Sequence, residues 1–129
     1  MKTHIILYVK DQKLSTEFYS SVLTMAPTLN VPGMTEFKLS DGCVLGLMPE
    51  DGIKNLLPKL PDPASAKGIP RAEIYLIVDN SEAYFARALK HGATALSERA
   101  MRDWGQVVAY CLDQDGHVLA FAEDSHETI

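Results

Sequence analysis

Apolar positions recur along the chain with two different periods. From His4 to Val9 and from Glu73 to Val78, β-branched, leucine and aromatic residues follow one another as they do in strands. Between about 12 and 24 the period lengthens. Leu14, Phe18 and Val22 recur at every fourth position, the apolar stripe of a helix. A second helix is expected over about 80–91. Asp11 and Asp79 stand where N-caps belong, and Asp79 with Glu82 has the spacing of a capping box. Gly92 follows His91 as a glycine stop. Shorter strands are expected at 35–39, 43–48, 106–112 and 117–122. Asp41-Gly42 and Asp115-Gly116 are the turn dipeptides before the last strand of each half.

These elements occur twice in the same order. His4-Ile5-Ile6-Leu7-Tyr8-Val9 matches Glu73-Ile74-Tyr75-Leu76-Ile77-Val78. Asp41-Gly42-Cys43-Val44-Leu45-Gly46-Leu47 matches Asp115-Gly116-His117-Val118-Leu119-Ala120-Phe121. Two echoes in one order indicate a duplicated module. The expected organisation is a single domain, with module one at 1–48, a linker at 49–70, module two at 71–124 and a tail at 125–129. The linker holds Pro58, Pro61, Pro63 and Pro70, with one helical turn expected at 52–57. The gap 24–34 and this linker are the expected rims and lids. The fold class is α+β: strand, helix and three strands, twice over, with mostly antiparallel pairing.

Strand side chains alternate between faces, so each strand divides into two sets. One set is wholly apolar and should pack against the helices: Ile5, Leu7, Val9, Leu45, Leu47, Ile74, Leu76, Val78, Leu119 and Phe121. The other set includes His4, Tyr8, Gly46, Met48, Glu73, Tyr75 and Ala120. A solvated face would carry more charge, and a plain core would carry no His or Glu. A mixed face with tiny residues fits a ligand cup.

His4-Ile5-Ile6-Leu7-Tyr8-Val9-Lys10-Asp11, then Ser15, Phe18-Tyr19 and Val22-Leu23, resembles the opening module of the vicinal oxygen chelate superfamily. That superfamily includes glyoxalase I, extradiol dioxygenases, and fosfomycin- and bleomycin-resistance proteins. Trp104-Gly105, Tyr110 and Leu112-Asp113-Gln114-Asp115-Gly116-His117-Val118-Leu119 is similar to the second module's ending, closest to the bleomycin-resistance-like branch. Gln114 replaces the usual proline of its turn. The resemblance implies paired βαβββ modules forming an open, cup-shaped, mostly antiparallel sheet with helices on the outer face, commonly in homodimers.

The resemblance also implies four metal-ligand places, which here hold His4, Gly46, Glu73 and Ala120. His4 and Glu73 suit a divalent ion, but Gly46 and Ala120 offer no ligand atom. The metal site is therefore incomplete, since a catalytic zinc takes three protein ligands plus water. Tyr8, Met48 and Tyr75 are neighbouring candidates, whereas Glu123 falls on the opposite face. Trp104, the only tryptophan, is a candidate for stacking on a ligand at the cup mouth. The expected ligand contacts are Tyr8, Met48, Tyr75 and Trp104, and no catalytic residue is assigned. Arg99 and Arg102 read as solvated. Cys43 and Cys111 read as buried small hydrophobes, not nucleophiles. His91, His117 and His126 form no metal-ligand spacing.

Composition narrows the function. Twelve Lys and Arg stand against 17 Asp and Glu, and the net charge of −5 speaks against a nucleic-acid partner. No apolar run approaches a membrane span. The expectation is a cytoplasmic, homodimeric protein that binds or sequesters a small organic molecule without a catalytic metal. The alternative is a divalent-metal-dependent lyase, thiol transferase or dioxygenase acting on vicinal oxygens.

Overall fold

The computed structural model describes residues 1–124; the expected tail 125–129, with His126, lies outside the described residues. The chain divides into two compact units between Lys67 and Gly68.

In the first unit, β1 (Thr3–Val9) leads into α1 (Gln12–Leu23), followed by β2 (Leu29–Val31), β3 (Met34–Ser40), β4 (Cys43–Pro49), α2 (Glu50–Leu56) and a 3₁₀ turn at Pro63–Ala66. The sheet order is β1-β4-β3-β2. β1 runs parallel to β4, and the other pairs are antiparallel. Asp11 caps α1 as expected, its carboxylate accepting from the Leu14 N–H at 2.9 Å. The helix ends on Thr24 in the left-handed conformation. Its buried face is Ser15, Thr16, Phe18, Tyr19, Val22 and Leu23, rotated from the expected stripe, so Leu14 is 48% exposed. That face lies with Leu7, Val9, Phe37, Leu45 and Leu47, all buried. The linker is more ordered than one turn at 52–57, since α2 begins at Glu50 and buries Ile53.

In the second unit, β5 (Glu73–Ile77) leads into α3 (Ser81–Lys90), then β6 (Thr94–Met101), β7 (Gln106–Leu112) and β8 (Val118–Asp124). The sheet order is β5-β8-β7-β6, with β5 parallel to β8. The βαβββ module thus occurs twice, each sheet four-stranded and mixed. Of the apolar set, Ile74, Leu119 and Phe121 are buried, and the Phe121 ring meets Tyr84 of α3 at 5.8 Å between centroids.

The structure corrects several expectations here. Asn80, not Asp79, caps α3, accepting from the Ala83 N–H at 3.1 Å. Gly92 does close the helix, at φ 106°, with the Ala93 N–H bonded to the Ala88 carbonyl. The fourth strand of each module, β2 or β6, lies where no strand was assigned. β6 forms the outer edge of its sheet, and its register against β7 shifts twice, between Ala95 and Ser97 and between Ser97 and Ala100.

The β7–β8 turn requires glycine. Gly116 has φ 85°, and a methyl group there would lie 2.0 Å from the Gly68 carbonyl oxygen. The chain after Gly68 is tied to the same turn, as Val118 donates to the Ala72 carbonyl at 3.0 Å. Gly116→Ala is expected to lower stability by about 2 kcal/mol or more, from left-handed backbone strain plus the clash. Gly42→Ala meets nothing within 4 Å and should change stability by less than about 0.5 kcal/mol. Urea unfolding of both variants checks the contrast; equal midpoints would contradict it.

Candidate functional site

The second sheet positions an aromatic group through its register. Ala120 of β8 lies opposite Tyr75 of β5 on one side and Tyr110 of β7 on the other. Ala122 stands likewise between Ile77 and Val108. Strand alternation puts these side chains on one face. Val108, Ala120 and Ala122 are fully buried, and Tyr75 and Tyr110 pack against them. Small residues at 120 and 122 leave room for the two large rings to pack over them.

Trp104 sits at the tip of the β6–β7 hairpin. The turn closes by bonds from the Arg102 N–H to the Gln106 carbonyl (2.9 Å) and from the Gly105 N–H to the Arg102 carbonyl (3.1 Å). Gly105 takes φ 88°, where glycine is favoured. The indole is 59% exposed, yet its Nε1–H donates to the Tyr75 hydroxyl at 2.9 Å. That hydroxyl donates to Gln106 Oε1. Tyr75 and Trp104 are therefore brought together.

Arg102 is not solvated as expected. Its Nη2 donates to Ser97 Oγ (2.7 Å), the Val108 carbonyl (2.9 Å) and the Glu98 carbonyl (3.3 Å). Its guanidinium lies over the Tyr110 ring, 5.1 Å from the centroid. Burial pushes the Tyr110 hydroxyl above its ordinary pKa; the charges of Glu73 and Tyr75 add to that rise, and Arg102 opposes it. Arg99 is engaged too: its Nε donates to Ser81 Oγ at 2.8 Å, and Nη2 lies 3.4 Å from Glu123. Glu123 also accepts from the Ser81 N–H at 2.8 Å, at the start of α3. It thus serves the helix, as alternation predicts.

In the first unit, Tyr8 and Met48 are register partners across β1 and β4. Gly46 stands between Ile6 and Glu36. A Cβ on Gly46 would lie 3.1 Å from Ile6 Cγ1 and 3.4 Å from Met34 Sδ, so this place is filled by neighbours. His4 Nδ1 lies 3.5 Å from Glu36 Oε2. Glu73, on β5, faces Val118 in register. Of the four places implied as metal ligands, Gly46 and Ala120 carry no donor, and Ala120 is sealed beneath two rings. The donor set does not fit a catalytic metal at those places.

A different grouping was missed in sequence: ligand atoms of Asp113, Asp115 and His117 lie within 4.8 Å of one another. Its bonding is that of a staple. Asp113 Oδ1 accepts from the N–H groups of Asp115 (2.9 Å) and His117 (2.8 Å). Asp113 Oδ2 lies 3.0 Å from His117 Nδ1, and Arg71 Nη2 lies 3.0 Å from His117 Nε2. A guanidinium only donates, so Nε2 accepts and Nδ1 carries the proton. Both ring nitrogens are thereby engaged, and a cation already occupies the open side.

Each unit also has a cleft between its helix and its edge strand. One of about 540 Å³ is lined by Gln12, Lys13, Thr16, Glu17 and Asn30 among others. One of about 370 Å³ is lined by Glu82, Phe85, Leu89, Glu98 and Arg99 among others. Gln12 binds the first cleft's walls together, donating to the Val31 carbonyl and Thr35 and accepting from the Gly33 N–H.

Sequence reasoning named Tyr75 and Trp104 but missed Tyr110, Gln106 and Glu36. Tyr110 and Gln106 share the β7 parity that faces Ala120, which a register assignment would have exposed.

Residues 3–121 match the model of the Glyoxalase/Bleomycin resistance protein/Dioxygenase superfamily, and the chain belongs to that family. Among solved structures, it is similar to a glyoxalase-related enzyme from Fulvimarina pelagi, with 19% identity, TM-score 0.82, and coverage of 96% of this chain and 88% of that one. It is also similar to a glyoxalase/bleomycin resistance protein/dioxygenase from Nocardioides, with 18% identity, TM-score 0.78, and coverage of 99% and 85%. A protein from Agrobacterium tumefaciens solved by NMR has 25% identity and TM-score 0.73, with coverage of 97% and 98%. No curated protein matches the sequence significantly. No helix among the described residues is long and apolar enough to cross a membrane.

The tyrosinate absorbance of the folded protein should lose one late step, above the ordinary tyrosine range, in Tyr110→Phe. Because the folded hydroxyl titrates above the unfolded one, its share of stability is present below about pH 10 and is lost as pH rises further. An unchanged late step in that variant would contradict the assignment. Burial also pushes the Cys111 thiol up to about 12, with Asp113 adding to it, whereas Cys43 is only half-buried. Ellman's reagent at neutral pH should modify Cys43 alone until denaturant is added; rapid reaction of both thiols would refute this.

Proposed function

We propose that the protein binds a small, planar organic molecule on the aromatic shelf of its second module, without a catalytic metal. The observation that carries this is the exposed Trp104 indole, held by the hydroxyl of Tyr75, which packs with Tyr110 on buried Val108, Ala120 and Ala122. An indole tethered by its only donor presents its face to solvent at little cost in ordering, which favours stacking. At Tyr110 the charge of Glu73 is opposed by Arg102, so the preference rests on the acidic chain as a whole. Its negative field favours a ligand that is cationic and donates hydrogen bonds. Such a ligand suits the bleomycin-resistance-like branch that the sequence resembles. Tyr8 and Met48 offer further apolar contact on the first module. The protein works as a cytoplasmic homodimer in this reading.

Saturable quenching of Trp104 fluorescence by 4-aminoquinoline is the expected result. By calorimetry its affinity should fall about tenfold in Tyr110→Ala, the loss of one aromatic contact of about 1–1.5 kcal/mol. Native mass spectrometry before and after adding zinc, nickel, manganese and ferrous iron gives the subunit count and any bound ion. No quenching, together with one ion per subunit that Glu73→Gln removes, would overturn the reading in favour of a metal-dependent enzyme.

A further inference from the structure

A line of hydrogen bonds runs from the end of β8 to the exposed indole. Gln106 Nε2 donates to Asp124 Oδ1 at 3.0 Å, Tyr75 donates to Gln106 Oε1, and Trp104 Nε1 donates to the Tyr75 hydroxyl at 2.9 Å. Each link has only one allowed direction. A carboxylate only accepts, so the Gln106 amide must turn its NH₂ to Asp124 and its carbonyl to Tyr75. That carbonyl only accepts, so Tyr75 must give it the hydroxyl proton. An indole N–H only donates, so it takes one lone pair of the Tyr75 oxygen. One lone pair and no proton then remain on Tyr75.

We infer that Asp124 and Gln106 are positioning residues that orient Trp104 and make the Tyr75 hydroxyl an acceptor only, so that the shelf selects ligands presenting an N–H or O–H edge. The inference rests on the shelf reading of function for its ligand arm alone; the orientation of the line is a property of the free protein. Replacing Asp124 by lysine inverts the end condition. An ammonium only donates, so the amide reverses and its NH₂ faces the Tyr75 oxygen. That oxygen then accepts from both neighbours, and its proton becomes available to an acceptor ligand.

The test uses the full-length, isotope-labelled protein in solution. A single tryptophan gives a single indole N–H signal. Its exchange with solvent should be about fivefold faster in Tyr75→Phe, as expected for one lost hydrogen bond, and faster also in Gln106→Leu. In the wild type the Gln106 NH₂ protons should show nuclear Overhauser contacts to Asp124 and not to the Tyr75 ring; in Asp124→Lys the Tyr75 contact should appear. Unchanged indole exchange in both variants, or the Tyr75 contact already present in the wild type, overturns the positioning role. For the ligand arm, affinities for 4-aminoquinoline, a donor, and quinoline N-oxide, an acceptor, are compared at high salt to screen the charge change. The wild type should prefer the donor, and Asp124→Lys should shift the ratio about tenfold toward the acceptor, the effect of one directional hydrogen bond. A reversed amide with an unmoved ratio overturns the selectivity. Binding of neither probe, with the indole and amide signals as expected, overturns the shelf reading and leaves the positioning role supported.

Discussion

The arrangement on the second module depends on one register: β8 lies between β5 and β7 with Ala120 opposite both tyrosines. A slip of one residue would exchange the faces of the strand. Phe121 would then rise between Tyr75 and Tyr110, and its place against Tyr84 of α3 would be vacated. The aromatic face and the helix-facing core are thus specified by one choice of pairing. The Gly116 turn fixes where that strand starts, and the Asp113–His117–Arg71 contacts hold the turn against the chain that enters β5.

The first module carries the same frame with different contents. Gly46 occupies the position of Ala120, but its flanking partners are Ile6 and Glu36 instead of two tyrosines. The glycine is closed over by Ile6 and Met34, and His4 turns to Glu36. Duplication preserved the pairing geometry, which backbone hydrogen bonds dictate, and left the side chains on the mixed face free to diverge. A helix–edge-strand cleft likewise recurs in both modules with unrelated linings.

The fold was largely legible because it rests on periodicity and repetition. Asp11 and Gly92 were readable as caps since each acts within one helical turn. Asn80 displaced Asp79 because adjacent residues of equal capping ability cannot be ranked without the backbone angles. β6 escaped because nearly all of Thr94–Met101 is exposed, which removes the alternation that marks a half-buried strand. The site was legible only as a set of residue types. Tyr75 and Trp104 are 29 positions apart in sequence, and their bond exists because a hairpin turn returns the indole to β5. Arg99 and Arg102 looked solvated because their acceptors, among them Ser81, Glu123 and the Val108 carbonyl, are assembled by the fold.

The paired register shifts of β6 have a bearing on how the molecule behaves at high concentration. An eight-residue strand at the edge of a sheet offers a row of backbone donors and acceptors on which another extended chain could grow. Two irregularities within that length break the row into pieces too short for a continuous ladder and twist it away from flatness. Glu98 and Arg99 place charges of both signs on the same edge. The strand that completes the module is thereby a poor template for fibrillar growth.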